Sequence, residues 1–542
     1  MSGDEAEHRA FWADEAADRV LARDPDEPVV IKGGVSPSGV PHVGHLNELL
    51  RGWFVAEALR DRGYDVRQVF TSDDRDALRK VPRRLATAEF ELVELGDDRV
   101  DAAALGRNLG VPYTAIPDPI AGCDHDSYAD HFTDLLRQSA DLLGVSVEFE
   151  SNTALYESGA FEPATRTALA RADEIRAVLG DYQSGVDDGY VPFMAQCIEC
   201  DRLTTDVGPV DVGSGTVDYR CTGMVAGGQE IEGCGNEGTA TLRAGKLPWR
   251  VEWPAQWTTL DVDFEPFGKD HAEGSWPSGC ALAERVFERD PPVPLTYEWF
   301  TLGGEALSSS GGNVMTAREL LDLLGPEVVR YFFALDPQKA RDLDVERLDR
   351  LADGFDRLER VALGREDDES LRPFAERVYP FLVDEVRDDR LRVPYAVAAV
   401  LGMTDDRDLR LRIARDEGHL PTDAPEAELE TALARVDRAR RWAARTGNRY
   451  DYRIQADLPD LSFDDETAAA LDDLADTVAA GADGEAIQSA IYETARDYGI
   501  DVGDFFSAGY RLFFDDTEGP RLGEFLGDLD REFVVERLRR ES

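Results

Sequence analysis

A glycine-rich turn between a predicted strand and a predicted helix constrains this chain more than any other segment. The turn reads Ser36-Pro37-Ser38-Gly39-Val40-Pro41-His42-Val43-Gly44-His45. The β-branched run at residues 29–31 predicts a buried parallel strand, and the apolar spacing over residues 46–62 predicts a helix. A second apolar run at residues 66–70 completes a βαβ unit. The helix N-terminus of such a unit offers free N–H groups and a positive dipole end to a phosphate.

The two histidines of the turn share one face of the first helical turn, because His42 and His45 are three residues apart. They are either capping or core histidines of an ordinary crossover, or donors to a bound phosphate, and the preceding Ser-Pro-Ser-Gly favours the second reading. Gly39 and Gly44 allow close backbone approach. The segment resembles the HIGH signature of class I aminoacyl-tRNA synthetases. Residues 34–39 resemble its glutamyl and class I lysyl branches.

The length and charge of the chain limit its organisation and its partners. With 542 residues it is too long for one hydrophobic core, and three to four domains are expected. Its 110 acidic and 59 basic residues give a net charge of −51, which on its own argues against nucleic acid as a partner. However, only five basic residues are lysines, and the acidic residues are spread throughout the sequence. This pattern indicates adaptation to molar salt, where charge is strongly screened.

The sequence indicates a cytoplasmic protein without a membrane segment. No run approaches 18 apolar residues, and the acidic N-terminus is not followed by an apolar core, so neither a signal peptide nor a membrane span is predicted. Helices are expected over residues 11–23, 131–143 and 163–179, and strand-like sequence over 247–253 and 261–264. From about residue 317 onward nearly all of the sequence predicts helix.

A second chemistry-bearing block follows at residues 245–271. It contains three tryptophans and ends in Gly268-Lys269-Asp270-His271. A G-x-D-H segment alone is more often an ordinary turn at a strand end. With its tryptophan-rich lead, and with Asp73-Asp74 and residues 79–82, the block resembles class I lysyl-tRNA synthetases over roughly residues 11–345. The resemblance implies that Asp270 holds a ribose hydroxyl, and that lysine binds at Gly34, Ser36, Trp249 and His271.

In the same family a mobile loop with the KMSKS signature meets the ATP phosphates. Here it reads Gly304-Glu305-Ala306-Leu307-Ser308-Ser309-Ser310-Gly311-Gly312-Asn313. The resemblance implies phosphate contacts from Ser308, Ser309, Ser310 and Asn313, but Ala306 and Gly311 occupy the two lysine positions. Three explanations compete: an inactive copy, replacement by another cation such as Lys269, an arginine or Mg²⁺, or backbone donors of the glycines. Replacement is favoured because the other site segments look intact.

Four cysteines in the β-rich, glycine-rich region 186–245 predict a structural zinc site. Cys197 and Cys200 have the spacing of a zinc knuckle, and Cys221 and Cys234 follow within the same region. A disulfide or reduced buried thiols are the alternatives. Cys280 is expected to be a core residue.

A second zinc site is predicted from four candidate ligands that lie within a stretch of fourteen residues. Its candidate ligands are Asp118, Cys123, His125 and His131. The spacing alone does not decide whether these four residues bind zinc. The resemblance to class I lysyl enzymes, through residues 116–119 and 127–132, supports it.

The resemblance implies a two-step reaction and an ordered set of domains. Lysine and ATP form lysyl-adenylate, and the lysyl group then passes to tRNA(Lys). His42, Gly44 and His45 serve the ATP site, and Mg²⁺ neutralises pyrophosphate. The alternatives are another class I synthetase, most plausibly glutamyl, and an inactive tRNA-binding relative. A monomer is expected.

The predicted fold is α/β: a Rossmann-type catalytic domain, split by an insertion with a zinc-ribbon-like module, and all-α domains after it. The expected boundaries are 1–90 and 246–316 for the two catalytic halves, 91–245 for the insertion, 317–370 for a stem-contact region and 371–542 for an anticodon-binding domain.

Overall fold

The computed structural model describes residues 11–226, 229–307, 313–455, 457–514 and 516–540. These residues divide into two compact units. The first contains the described residues up to 321, together with 326–344 and 367–384. The second contains residues 322–325, 345–366 and the described residues from 385 onward. No helix in the described part of the chain is both long and apolar enough to cross a membrane.

The first unit is built around a five-stranded sheet in which every neighbouring pair is parallel. Its spatial order is β15 (Val293–Tyr297), β14 (Phe264–Gly268), β1 (Val29–Val35), β2 (Val66–Ser72) and β5 (Glu148–Ser151). Strand β1 is central, and its first five residues are buried. The predicted βαβ unit is confirmed: helix α2 (His45–Asp61) connects β1 to β2, and Gly63 follows it with a φ of 89°.

The insertion between β2 and β14 contains small helices and antiparallel strands. Its helices are α3 (Ala102–Arg107), α4 (Tyr128–Leu142), α5 (Asn152–Ser158), α6 (Glu162–Ala170) and α7 (Ala172–Leu179). Its strands are β3 (Arg84–Ala86), β4 (Leu92–Glu94), β6 (Met194–Gln196), β7 (Leu203–Thr204), β8 (Val207–Asp211), β9 (Thr216–Arg220), β10 (Gly223–Ala226), β11 (Gln229–Glu232), β12 (Glu237–Thr241) and β13 (Gly245–Lys246). The β-rich character expected of residues 186–245 is confirmed.

The tryptophan-rich segment is a helix, and the strand expected over 247–253 is wrong. Helix α8 (Trp249–Leu260) begins after Pro248 and contains Pro254. Three indoles four residues apart share one face, with ring centroids 5.3 Å apart for Trp249 and Trp253 and 5.4 Å apart for Trp253 and Trp257. This i, i+4 spacing is the helical signal in the sequence, since side chains four residues apart are neighbours on a helix.

The remaining elements of the first unit flank the sheet. They are α1 (Trp12–Leu21), α9 (Ser275–Arg285), α10 (Ala317–Leu321), α11 (Pro326–Ala334), α13 (Arg372–Leu382), β16 (Phe300–Leu302), β17 (Glu305–Ala306) and β18 (Arg341–Leu343). Helix α1 is held to α13 through Asp14, whose carboxylate accepts two hydrogen bonds from Arg377, of 2.7 and 2.8 Å.

The second unit is helical, as the sequence predicts. Its helices are α12 (Leu348–Ala362), α14 (Tyr395–Leu401), α15 (Arg407–Asp416), α16 (Glu426–Thr446), α17 (Asp465–Ala479), α18 (Gly484–Asp497), α19 (Val502–Phe514), α20 (Leu522–Asp528) and α21 (Arg531–Leu538). Asp406, Asp464, Asp483 and Asp530 cap helix N-termini by accepting backbone N–H bonds. A capping aspartate therefore precedes each of the helices α15, α17, α18 and α21.

Candidate active site and metal sites

A cavity of about 420 Å³ lies at the carboxyl ends of β1, β2 and β14. Ligands bind at this edge in open parallel sheets. The cavity brings together all four residues predicted to bind lysine: Gly34, Ser36, Trp249 and His271. The Trp249 and His271 rings lie 5.3 Å apart between centroids. Together they form an aromatic wall.

Two buried charges of this cavity, those of Lys32 and Glu265, neutralise each other. Lys32 is 2% exposed, and its Nζ lies 2.8 Å from Oε1 of Glu265. The Trp253 indole donates to the same oxygen at 2.8 Å, and the Trp257 indole donates to Oε2 of Glu265. This arrangement satisfies both oxygens of a buried carboxylate.

A second carboxylate of the cavity, the half-buried Glu48, has no cationic partner within hydrogen-bond or ion-pair distance among the described residues. It accepts a 2.7 Å hydrogen bond from the Gly34 N–H and a 3.2 Å hydrogen bond from the Tyr297 hydroxyl. Burial raises the pKa of Glu48 to about 8. Glu48 therefore has hydrogen-bond donors but no counter-ion among the described residues, which suits a carboxylate that binds a cationic ligand.

Gly34 is required here by space. A Cβ on this residue would lie 2.2 Å from Oγ1 of Thr71, so a side chain would displace the neighbouring strand. Glycine at position 34 therefore has a steric reason.

A second cavity, of about 630 Å³, adjoins the first and shares Glu48 and His271 with it. It is lined by the predicted nucleotide-site residues His42, Gly44, His45 and Asp270. Ala306 also lines it, at one of the two positions where the family signature has lysine. Among the lining residues that the structure describes there is no lysine or arginine.

Hydrogen bonds to the backbone define which nitrogen of each turn histidine is free. Nδ1 of His42 accepts from the Gly44 N–H at 3.0 Å, and Nδ1 of His45 accepts from the His42 N–H at 3.1 Å. Each neutral ring must then carry its proton on Nε2. The rings stack with centroids 4.1 Å apart. The turn thus presents two Nε2–H donors side by side.

Both turn histidines are neutral at physiological pH. Burial lowers the pKa of His42 to about 4, and burial together with His42 lowers the pKa of His45 well below its usual value. Gly44 leaves room for this arrangement, since a Cβ there would lie 2.6 Å from Cε1 of His42.

The loop expected to cover the phosphates is only partly described. Ser308, Ser309 and Ser310 lie outside the described residues, as does Gly311. Asn313 is described, and its Nδ2 donates to the Ala306 carbonyl at 3.2 Å. Nearby, Lys269 forms an ion pair with Glu298, and its Nζ lies 5.4 Å from the Trp299 ring centroid.

Several pocket residues were missed by sequence reasoning. They are Lys32, Glu48, Asp76, Glu265 and Tyr297. In a chain with 110 acidic residues a carboxylate gives no local signal. Lysine does, because only five are present, and Lys32 lies in the first strand of the predicted βαβ unit.

The four predicted cysteine ligands converge. The Sγ atoms of Cys197, Cys200, Cys221 and Cys234 all lie within 4.8 Å of one another. Although burial opposes it, backbone N–H groups of Glu199 and Cys200 lower the pKa of the Cys197 thiol to about 7. A thiolate is the form that binds metal. The donor set fits a tetrahedral zinc ion.

The second predicted cluster converges as well, with ligand atoms of Asp118, Cys123, His125 and His131 within 4.8 Å of one another. Nε2 of His131 is 2.8 Å from the Ala86 carbonyl, so it donates its proton there. Its Nδ1 lies 2.8 Å from Oδ2 of Asp118. In a neutral ring this nitrogen carries a lone pair, which repels a carboxylate oxygen unless a cation or a second proton lies between them. The geometry therefore fits a metal ion.

Comparison with known proteins gives a consistent family. The model of the family described as tRNA synthetases class I (K) matches residues 10–380. The Lysine--tRNA ligase of Haloarcula marismortui is 63% identical over 98% of this chain and 97% of that protein. That of Halobacterium salinarum is 58% identical over 99% and 98%, and that of Pyrococcus horikoshii 32% over 98% and 99%. A solved glutamate tRNA ligase from Elizabethkingia meningosepticum aligns with 95% of this chain and 99% of that chain, at 10% identity and a TM-score of 0.36.

The parallel sheet, the histidine turn and the family match together define an aminoacyl-tRNA synthetase of class I. Within that class, the chain belongs to the family of tRNA synthetases class I (K). The family and the enzyme class predicted from the sequence are confirmed.

Proposed function

We propose that this chain activates L-lysine with ATP to form lysyl-adenylate and then transfers the lysyl group to tRNA(Lys). The observation that carries the proposal is the convergence of Gly34, Ser36, Trp249 and His271 on one cavity that adjoins the histidine-lined one. The names of its relatives support the same activity.

Two adjoining cavities suit the first step, in which two substrates must meet. A carboxylate oxygen of lysine attacks the α-phosphorus of ATP, forming an O–P bond while the bond to pyrophosphate breaks. No protein nucleophile is needed, so catalysis consists of positioning and charge stabilisation. The Nε2–H groups of His42 and His45 donate to phosphate oxygens, and Asp270 holds a ribose hydroxyl. Mg²⁺ bound with ATP would neutralise the departing pyrophosphate.

Glu48, which lines both cavities, is suited to receive the side-chain ammonium of lysine. Lys32 already neutralises Glu265, while Glu48 accepts only uncharged donors among the described residues. A bound ammonium would provide the missing charge, and the alkyl stem would lie along the aromatic wall of Trp249.

The lysines missing from the phosphate loop are replaced, in this proposal, by other groups. Lys269 follows Gly268, which lines the nucleotide cavity, and its partner Glu298 is itself partly exposed. With Mg²⁺ and the loop residues Ser308, Ser309, Ser310 and Asn313, it would complete the phosphate site. This assignment extends the prediction made from the sequence.

Two zinc ions and an extended tRNA surface complete the proposed enzyme. Cys197, Cys200, Cys221 and Cys234 would hold one zinc, and Asp118, Cys123, His125 and His131 the other. Residues 317–370 would contact the tRNA stem and residues 371–542 the anticodon. We propose that the enzyme acts as a monomer in the cytoplasm.

ATP–pyrophosphate exchange in molar KCl tests the proposal. We expect exchange that depends on lysine and needs no tRNA. A requirement for glutamate and tRNA would assign the chain another amino acid, and an absence of exchange with every amino acid would make it an inactive relative.

Glu48→Gln tests the ammonium receptor. We expect KM for lysine to rise about 100-fold, because a charge-assisted hydrogen bond is lost, while KM for ATP changes little. In the wild type, KM for lysine should fall as pH rises from 6 to 8, since the pKa of Glu48 is about 8 and only its ionised form attracts the ammonium. Glu57→Gln on the same helix, in a partly exposed pair with Arg60, is the control. An unchanged KM for lysine in Glu48→Gln would exclude the role.

A further inference from the structure

Lys246 forms a buried ion-pair cluster behind the amino-acid cavity that the reaction above does not use. It is 1% exposed, and its Nζ lies 2.6 Å from Oε2 of Glu252 and is also paired with Asp76. Although burial opposes it, the two carboxylates raise the pKa of Lys246 above its usual value. Oε1 of Glu252 accepts a 2.8 Å hydrogen bond from the Tyr156 hydroxyl. The cluster is therefore charged and closely hydrogen-bonded.

Asp76 connects this cluster to the cavity. Its Oδ2 accepts a 3.0 Å hydrogen bond from the Ser36 hydroxyl, while its Oδ1 is paired with Lys246. Ser36 and Asp76 both line the cavity, whereas Lys246 and Glu252 do not. A continuous set of polar contacts thus runs from the Ser36 hydroxyl through Asp76 to Lys246.

Lys246 itself is held by the cysteine-bearing module. It lies on β13, which pairs with β6, and Cys197 directly follows β6. Arg75, the neighbour of Asp76, donates from Nε to the Gly245 carbonyl at 2.9 Å and from Nη2 to the Arg243 carbonyl at 2.7 Å. The same short segment, residues 243–246, therefore holds the segment after β2 and supplies the cation that pairs with Asp76.

The residue type is informative, because the chain uses arginine almost everywhere. Only five lysines are present, and two of them, Lys32 and Lys246, are fully buried around this one cavity. An ammonium presents three donors at a single point and fits between two close carboxylates, whereas a guanidinium is a planar fork. The site needs a compact charge.

We propose that Lys246 is a positioning residue for amino-acid binding: through Asp76 it holds the Ser36 hydroxyl in the cavity, and it makes the cysteine-bearing module part of the substrate site. The inference rests on the proposed function, since Ser36 is assigned there to lysine. It adds a role for a residue that does not touch the substrate.

Two variants of Lys246 test this. Lys246→Arg keeps the charge and changes the geometry, and Lys246→Met with Glu252→Gln removes one charge of each sign. In both we expect KM for lysine in the exchange assay to rise about 10-fold, with KM for ATP unchanged and cooperative thermal unfolding retained. If Lys246 only balanced charge, both variants would keep the wild-type KM for lysine, and that result would overturn the inference.

Two further variants make the test complete. Lys339→Met removes an exposed lysine paired with Asp336 and should change neither KM. Glu252→Gln is isosteric and outside the cavity, and we expect it to raise KM for lysine about threefold. If neither Lys246 variant unfolds cooperatively, this variant alone tests the role of the cluster, and an unchanged KM for lysine would overturn the inference. A wild type without lysine-dependent exchange would contradict the proposed function itself. Wild-type exchange with unchanged variants would contradict only the role of Lys246.

Discussion

Two pairs of histidines in the first unit have opposite chemistry, although both pairs pack ring against ring. The rings of His42 and His45 are 4.1 Å apart between centroids, and those of His125 and His131 are 4.8 Å apart. In the first pair each Nδ1 accepts a backbone N–H, which leaves Nε2–H as a donor. In the second pair both Nδ1 atoms face the Asp118 carboxylate, at 3.2 and 2.8 Å.

The difference teaches that the partner of one ring nitrogen assigns the role of the other. Backbone N–H partners make the turn histidines hydrogen-bond donors, which suits an anionic phosphate. In the second pair, acceptors at Nε2, the Ala86 carbonyl for His131 and the Asp134 carboxylate for His125, leave each Nδ1 as an electron donor towards a cation, which suits zinc. Neither role follows from the spacing of the histidines alone.

Removal of a turn histidine gives the largest expected effect. For His45→Ala we expect lysine-dependent exchange to fall about 100- to 1,000-fold, as is typical when a donor to developing charge is lost. Zinc content, measured by atomic emission, should stay at the wild-type value. A loss of zinc with unchanged exchange would show that His45 serves metal binding and not the ATP phosphates.

Removal of a ligand from the second pair should do the opposite. We expect His125→Ala to lose one of two zinc ions per chain and to lower the thermal midpoint, since bound metal stabilises the folded state. Exchange should fall less than in His45→Ala. His419→Ala, in the second unit, is the matched control and should change neither zinc nor exchange. Unchanged zinc in His125→Ala would remove the metal assignment.

A smaller effect should follow from Asp118→Asn, which keeps the side-chain size and removes its charge. We expect the zinc affinity of this site to fall about 10- to 100-fold, measured by competition with a chelator. The cysteine site should retain its metal in the same titration. An unchanged affinity would mean that Asp118 is not a ligand.

The smallest effect concerns acid stability. The pKa of His42 falls from 6.5 to about 4 on folding, so between these values the unfolded chain binds a proton that the folded chain does not. The stability that this provides is present above pH 6.5 and is lost as pH falls towards 4. We expect the thermal midpoint to fall by a few degrees less between pH 7 and 5 in His42→Asn than in the wild type. An equal fall of the thermal midpoint in the variant and the wild type would show that His42 is solvated in the folded protein.

The elements around the turn could be predicted from the sequence because their signals are local. The β-branched run, the helical spacing and the glycine turn each lie within a few residues, and β1, α2 and β2 form as expected. The convergence of the four cysteines was likewise indicated by their spacing. Helix α8 was missed because tryptophan is enriched in strands and Pro254 is unfavourable inside a helix, although the i, i+4 spacing of the tryptophans was visible.

The charged partners in the cavity could not be predicted, because they depend on contacts between distant segments. Lys32 and Glu265 are 233 residues apart, and Lys246 and Asp76 are 170 apart. Each of these carboxylates is one of 110 acidic residues, and only the folded structure shows which of them line the cavity. Burial, which raises the pKa of Glu48, is a property of the assembled fold.

The strand order of the central sheet has a consequence for folding during synthesis on the ribosome. Strand β1 pairs on one side with β2, which ends at Ser72, and on the other with β14, which begins at Phe264. While the intervening insertion is being translated, one edge of the central strand β1 stays open. Such an edge invites pairing with other chains. Early folding of the insertion, before β14 emerges, would shield the nascent polypeptide from aggregation.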